Sequence, residues 1–130
     1  MKFSTRAQYG LRAMVDIALY TKNSKVCSVR EISRKEGLSK SYLERLIAKL
    51  KKEKLIKAEK GVKGGYFLAQ DPKLISILEI TEALEGPINL VPCEEKKCSL
   101  EKTCAPKRVW RRVRDEIRRT LNNIKLADLV

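Results

Sequence analysis

Cysteine is the residue whose spacing most constrains the chemistry open to this sequence. Cys93, Cys98 and Cys104, three of the chain's four cysteines, fall inside twelve residues with the spacing C-x4-C-x5-C. The stretch from Pro92 to Cys104 is polar, has no apolar period and is bracketed by Pro92 and Pro106, so it is expected to be a loop. A loop that presents three thiolates to one point is a soft-ligand site, suited to an iron–sulfur cluster or to zinc. Structural zinc usually takes four protein ligands, often from C-x2-C pairs, and here three stand at wider spacing. A thiol–disulfide switch is a third option, because Lys96, Lys97 and Lys102 favour thiolate formation nearby. Cys27 stands apart and reads as a small buried hydrophobe.

The composition narrows the classes further. The chain has 130 residues and no histidine, which removes Ser-His and Cys-His catalysis and every histidine-containing metal site. A thiol oxidoreductase would want C-x-x-C after a strand in an α/β pattern, and neither feature is present, so no enzyme is expected. A net charge of +13 with 35% charged residues favours polyanionic partners, nucleic acid or anionic lipid. No apolar run approaches the roughly 20 residues of a membrane span, and the N-terminus lacks the build of a signal peptide. The expected compartment is the cytoplasm, where clustered cysteines are more often metal ligands or redox sites than disulfides. A single domain is expected, with 43% apolar residues for its core. No repeat, low-complexity tract or long linker interrupts it.

The elements that must position the cysteines read as mainly helical, with one small β-hairpin. Residues 4–21 carry Ala7, Leu11, Met14, Val15, Ala18 and Leu19 at helical spacing behind Ser4 as cap, and Gly10 predicts close approach by another backbone. Ser28-Val29-Arg30-Glu31 is a capping box opening a short helix that stops at Gly37. Ser39 caps the next helix, with Leu43, Leu46, Ile47 and Leu50 on its inner face. These two helices form a helix-turn-helix pattern, whose bland alternative is a helical hairpin in a bundle. Leu55–Glu59 and Tyr66–Leu68 then read as paired strands about a tip of Lys60-Gly61-Val62-Lys63-Gly64-Gly65, its three glycines permitting positive φ. A helix-turn-helix followed by a hairpin is a winged helix. From Lys40 to Lys63 nine Lys/Arg face three Glu, a concentration better explained by phosphate contact than by a solvated face.

Ser76-Ile77-Leu78-Glu79 is a second capping box, and its helix is closed by Gly86-Pro87, with Leu74, Ile77, Leu78, Ile80 and Leu84 available for burial. The cysteine loop follows. From Pro106 to about Leu121 runs the last long helix, with Val109, Trp110, Val113, Ile117 and Leu121 on one face and Asn122-Asn123 breaking it. That stripe is expected to pack against its twin in a homodimer, the alternative being its own domain. Binding of this basic helix to a membrane surface is disfavoured, because its charges are distributed around much of the helix. Ile124 to Leu129 is expected to dock back as a short tail.

Met1 to Gly10 with Ala13-Met14-Val15-Asp16, then Ser41-Tyr42-Leu43-Glu44, then Gly64-Gly65-Tyr66, then three cysteines ahead of Trp110, together resemble the Rrf2 family of winged-helix regulators over essentially the whole chain. The likeness is greatest to members that carry an iron–sulfur cluster. The resemblance implies a homodimer on double-stranded operator DNA, with a cluster of the 2Fe–2S or 4Fe–4S type on Cys93, Cys98 and Cys104. It places Ser39, Ser41 and Glu44, beside Tyr42, at the major groove, where a carboxylate accepts from cytosine N4. Arg45 and Lys49 are expected near phosphates, and Lys60, Gly61 and Lys63 at the wing. Lys60 stands where relatives usually place an arginine entering the minor groove, and lysine lacks the planar fork. Lys107 stands where the cluster site would take a histidine, and Gln8 where some relatives supply a carboxylate from the partner chain. The fourth ligand is therefore open among Glu94, Glu95, Glu101, Cys27, an external thiol and water.

The expected organisation is a winged helix-turn-helix DNA-binding domain at 1–86 (wing about 55–69), a cysteine loop at 87–105, and a dimerisation helix with tail at 106–130. The expected function is an iron–sulfur-cluster-dependent, DNA-binding transcriptional repressor of cluster-assembly genes or related iron, sulfur or redox genes. The alternatives are a cluster-free thiol- or zinc-responsive regulator of the same fold and, further off, a small thiol redox protein.

Overall fold

Side-chain caps fix where most of the helices begin. In the computed structural model, which describes residues 2–94 and 98–130, helix α1 spans Thr5–Tyr20 and the Ser4 hydroxyl accepts from the Ala7 N–H at 3.2 Å. Helix α2, Val29–Glu36, opens on the reciprocal box expected of Ser28 and Glu31: each side chain accepts the other's backbone N–H, at 3.2 and 2.9 Å. It ends at Gly37 in the left-handed region. Helix α3, Lys40–Lys52, starts under Ser39, whose oxygen accepts from the Tyr42 N–H at 3.1 Å. Ser76 caps α4, Ile77–Glu85, in the same way. Helix α5 runs Lys107–Asn123.

The wing is an antiparallel pair, β1 at Ile56–Glu59 and β2 at Gly65–Leu68, in a register that sets Ile56 against Leu68 and Glu59 against Gly65. Cys27 adds a third short rung: its N–H donates to Tyr66 C=O at 2.8 Å and its C=O accepts from Tyr66 N–H at 2.7 Å. A Cβ on Gly65 would sit 2.7 Å from the Cys27 carbonyl oxygen, so this rung needs a glycine. Of the three glycines at the wing, Gly61 alone takes positive φ. The expectation that all three take positive φ is thus corrected at Gly64 and Gly65, which supply space: a Cβ on Gly64 would sit 2.1 Å from the Glu59 carbonyl oxygen.

The core joins α1 to α4, the base of the wing and the tail. Met14, Ile17, Ile32, Leu43, Leu46, Ile47, Leu50, Ile56, Ile75, Ile80, Leu84 and Leu126 are all fully buried, each worth roughly 1.5–3 kcal/mol of burial. Gly10 does admit a close neighbour, but that neighbour is the Leu84 side chain rather than another backbone: an added Cβ would lie 2.3 Å from Leu84 Cδ1. Lys35–Asp16 at 2.8 Å and Arg12–Glu36 at 2.6 Å tie α2 to α1 and so fix the helix-turn-helix on its support. The tail docks as expected. Ile77 N–H donates to Ile124 C=O at 2.9 Å and Leu126 N–H to Ile75 C=O at 2.8 Å.

Some expectations fail locally. Leu74 is exposed, because it belongs to a single 3-10 turn at Pro72–Leu74 and α4 starts only at Ile77. Leu19, near the end of α1, is also exposed. Helix α5 ends at Asn123, so the Asn122-Asn123 pair forms its last two residues, two beyond the expected end at about Leu121. Within the polar cysteine segment, Pro92–Glu94 forms one 3-10 turn.

Cys27 has 1% of its surface exposed, and burial, with Glu31 and Asp16 close by, pushes its thiol pKa up to about 12. The thiolate is the reactive species, and a raised pKa keeps Cys27 neutral throughout the ordinary pH range. In metal-free protein at neutral pH, an alkylating agent followed by mass spectrometry is therefore expected to label the three loop cysteines at least about tenfold faster than Cys27. Equal rates at all four would contradict the placement of Cys27.

Candidate functional site

The loop between α4 and α5 folds over the start of α5 by short-range backbone bonds. Glu101 N–H donates to Cys98 C=O at 3.1 Å, and Leu100 C=O accepts from Thr103 and Cys104 at 3.0 and 2.9 Å. These turns set Cys93, Cys98 and Cys104 on the wall of one cavity of about 240 Å³. Cys93 is exposed, the other two are half-buried, and all three are free thiols. Glu95, one of the candidate fourth ligands, lies outside the described residues together with Lys96 and Lys97.

The first two turns of α5 line the same cavity. Lys107, Trp110, Arg111 and Arg114 stand at i, i+3, i+4 and i+7 and so share one face of the helix. Lys107 donates its ammonium to the Glu101 carbonyl, and Arg111 lies 3.4 Å from the Glu101 carboxylate. Arg114 lies 3.6 Å from Glu94. Glu94 also accepts, through Oε2, from the N–H groups of Leu90 at 2.5 Å and Val91 at 3.4 Å. Trp110, expected in the dimer stripe, is thus also part of the cysteine cavity. The three cations were legible only as charge. Their helical spacing from Lys107 onward was the signal that could have turned them toward the cysteines.

Among the described residues, no three Cys, Asp or Glu side chains are grouped closely enough to hold a metal ion as they stand. The chemistry of the donor set nevertheless fits an iron–sulfur cluster. Three thiols share one cavity with three cations, opposite in charge to an anionic thiolate-ligated cluster. Lys107 is not a substitute for a histidine ligand, since an ammonium has no lone pair and this one holds the Glu101 carbonyl.

Helix α3 turns Leu43, Leu46, Ile47 and Leu50 inward and leaves Ser41, Glu44, Arg45 and Lys49 exposed. Ser39 is exposed, with its oxygen accepting the cap bond and its O–H free to donate. Tyr42 is less available, being half-buried. Its ring meets Tyr9 edge-on with centroids 6.4 Å apart, and the Arg45 guanidinium lies 5.7 Å from its centre. That pairing joins α1 to the start of α3 and was missed in the sequence, where the two tyrosines lie far apart. Lys60, Gly61 and Lys63 are exposed at the wing tip. The stripe of α5 divides: Val109, Trp110 and Val113 are exposed, while Ile117 is half-buried and Leu121 packs on the core. No residue of α5 is fully buried.

Residues 3–130 match the family described as Rrf2, iron-dependent transcriptional regulator. The HTH-type transcriptional regulator IscR of Yersinia pseudotuberculosis is 33% identical, over 100% of this chain and 79% of its own length. Among solved structures, IscR of T. potens superposes with a TM-score of 0.80 at 36% identity, covering 99% of this chain and 85% of that one. CymR, the global cysteine regulator of B. subtilis, superposes with a TM-score of 0.78 at 33% identity, covering 99% and 95%. The chain belongs to the Rrf2 family and is a DNA-binding transcriptional regulator, not an enzyme.

Proposed function

We propose that this regulator acts as a homodimer on double-stranded operator DNA and that an iron–sulfur cluster on Cys93, Cys98 and Cys104 sets its affinity. The observation that carries the reading is the shared cavity: three free thiols and three cations of α5 line the same space of about 240 Å³. When bound, the cluster would supply a crosslink among three loop positions that oxidants and chelators can remove. Cys93 would anchor the 3-10 turn after α4, and Cys104 the entry to α5, so ligation would fix the span between those helices. Lys107, Arg111 and Arg114 would offset the negative charge brought into the cavity.

The division of labour follows the chain. Residues 1–86 carry the DNA reader, 87–105 the cysteine loop, and 106–130 the dimer helix and tail. In the reader, Ser39, Ser41 and Glu44 would meet base edges and Arg45, Lys49, Lys60 and Lys63 the phosphates. The dimer seam rests on Val109, Trp110 and Val113, which are exposed on a helix with no fully buried residue. A second reading is supported by the likeness to CymR: a cluster-free regulator that responds through the same free thiols.

Three measurements test these assignments. After anaerobic reconstitution, Cys93→Ala, Cys98→Ala and Cys104→Ala are each expected to lose stable visible colour, iron and sulfide, while Cys27→Ala keeps them. Stoichiometric zinc without iron in the wild type, resistant to mild chelation, would sink the cluster reading. On DNA, Lys63→Ala is expected to reduce the slope of log affinity against log salt by about one unit with sequence preference intact. Glu44→Ala should instead relax the preferred sequence, and an unaltered preference would remove α3 from the major groove. Val113 is exposed within one chain, so Val113→Glu leaves that fold intact while placing a charge in the proposed seam. Sedimentation of this variant at micromolar concentration should show monomer, and a full dimer would move the interface elsewhere.

A further inference from the structure

Three cysteines leave one ligand position unassigned, and the cavity wall offers few atoms for it. Glu101 is an indifferent candidate: its carboxylate is half-exposed and engaged by Arg111 at 3.4 Å. Lys107 has no lone pair to give. Cys27 is not on this wall, being paired with Tyr66 at the base of the wing.

Glu94 is different. Its side chain is only 6% exposed, although it is a carboxylate in a polar loop. The two oxygens are treated unequally. Oε2 is held by the backbone N–H groups of Leu90 and Val91, at 2.5 and 3.4 Å. Oε1 is buried and has no hydrogen-bond partner among the described residues, where its nearest cation is Arg114 Nη1, at 3.6 Å, beyond hydrogen-bond range. A buried carboxylate oxygen without a partner is costly and uncommon, and such an atom calls for an explanation. This one belongs to a residue lining the same cavity as the three thiols. The arrangement matches what metal sites use elsewhere, where a ligating carboxylate is oriented by second hydrogen bonds to its other atoms.

Resting on the cluster reading above, we infer that Glu94 supplies the fourth ligand through Oε1, with the Leu90 and Val91 amides aiming it and Arg114 balancing its charge when no metal is bound. A hard oxygen at one corner of a thiolate-ligated cluster is a weaker match for iron–sulfur chemistry than a fourth thiolate. It makes that corner the point at which the cluster is most readily opened. Ligation then draws Oε1 away from Arg114, its nearest cation among the described residues, so filling the site also changes how the loop meets α5. The charge on α5 thereby becomes part of the signal.

Glu94→Gln separates this role from a merely structural one. Glutamine keeps a carbonyl oxygen to accept from Leu90 and Val91, but it replaces the ligating carboxylate with a neutral amide. Wild type, Glu94→Gln, Glu94→Cys and Glu101→Gln would be reconstituted anaerobically with iron and sulfide, and visible circular dichroism, metal content and the rate of cluster loss to a chelator compared. Thermal melting of the metal-free proteins monitors the fold. Glu94→Gln is expected to melt like the wild type, to show an altered visible spectrum and to lose its cluster about tenfold faster or more. Glu94→Cys should give an all-thiolate spectrum and slower loss, and Glu101→Gln should match the wild type. A wild type that holds the cluster beside a Glu94→Gln variant with the same spectrum and the same rate of loss overturns the assignment of Glu94 alone. A wild type that takes up no iron and sulfide overturns the cluster reading and this inference with it.

Discussion

Two backbone hydrogen bonds hold the rest of the arrangement together. Ile77 N–H to Ile124 C=O, and Leu126 N–H to Ile75 C=O, pair the tail after α5 with the segment just ahead of α4. Leu126 is then fully buried among the core residues of α1 to α4 and the base of the wing. The start of α4 and the end of α5 are thereby pinned at one place, while their other ends are joined by the loop at 87–106. Arg118 of α5 also pairs with Glu82 of α4 along the way. Helix, loop, helix and tail make a closed circuit. A change in the span of the loop must be taken up by the angle or rigidity of α5 against α4, since the pinned ends are fixed in a packed core.

That constraint gives the proposed regulation a physical route. Helix α4 packs on α1, where Leu84 occupies the space left by Gly10, and α1 carries α2 through the Lys35–Asp16 and Arg12–Glu36 pairs. Helix α5 also carries the exposed apolar residues of the proposed dimer seam. In a dimer, a new angle for α5 would alter the separation of the two α3 helices. Both halves of an operator must be met at once, and each base pair that is no longer matched costs about 1–3 kcal/mol. A small movement at the loop is enough to matter.

Much of this was legible where the governing physics is local. Ser4, Ser28, Ser39 and Ser76 were read as caps because a hydroxyl ahead of an apolar period is a short-range signal, and all four accept the expected N–H. The wing followed from its glycines and flanking strands, and the three-cysteine loop from spacing. What stayed hidden depends on tertiary pairing. The Cys27–Tyr66 rung joins residues 39 positions apart, and nothing in the local pattern around Cys27 announces a strand. Leu74 looked like part of the α4 face because it was counted with that helix although it lies ahead of the Ser76 cap, where the chain instead makes a separate turn. Lys107, Arg111 and Arg114 were visible as charge, yet their orientation toward the thiols depends on where the loop folds back. The unequal environment of the two Glu94 oxygens has no counterpart in sequence at all.

The most direct test of the central claim is operator affinity measured on one anaerobic sample before and after its cluster is removed, at fixed salt and protein concentration. If the state of the loop sets the geometry of the reader, the two dissociation constants for a cognate operator should differ by about tenfold or more, equivalent to about 1.4 kcal/mol, while affinity for unrelated DNA stays unchanged. Equal affinity of the two forms for every operator tested would contradict the account.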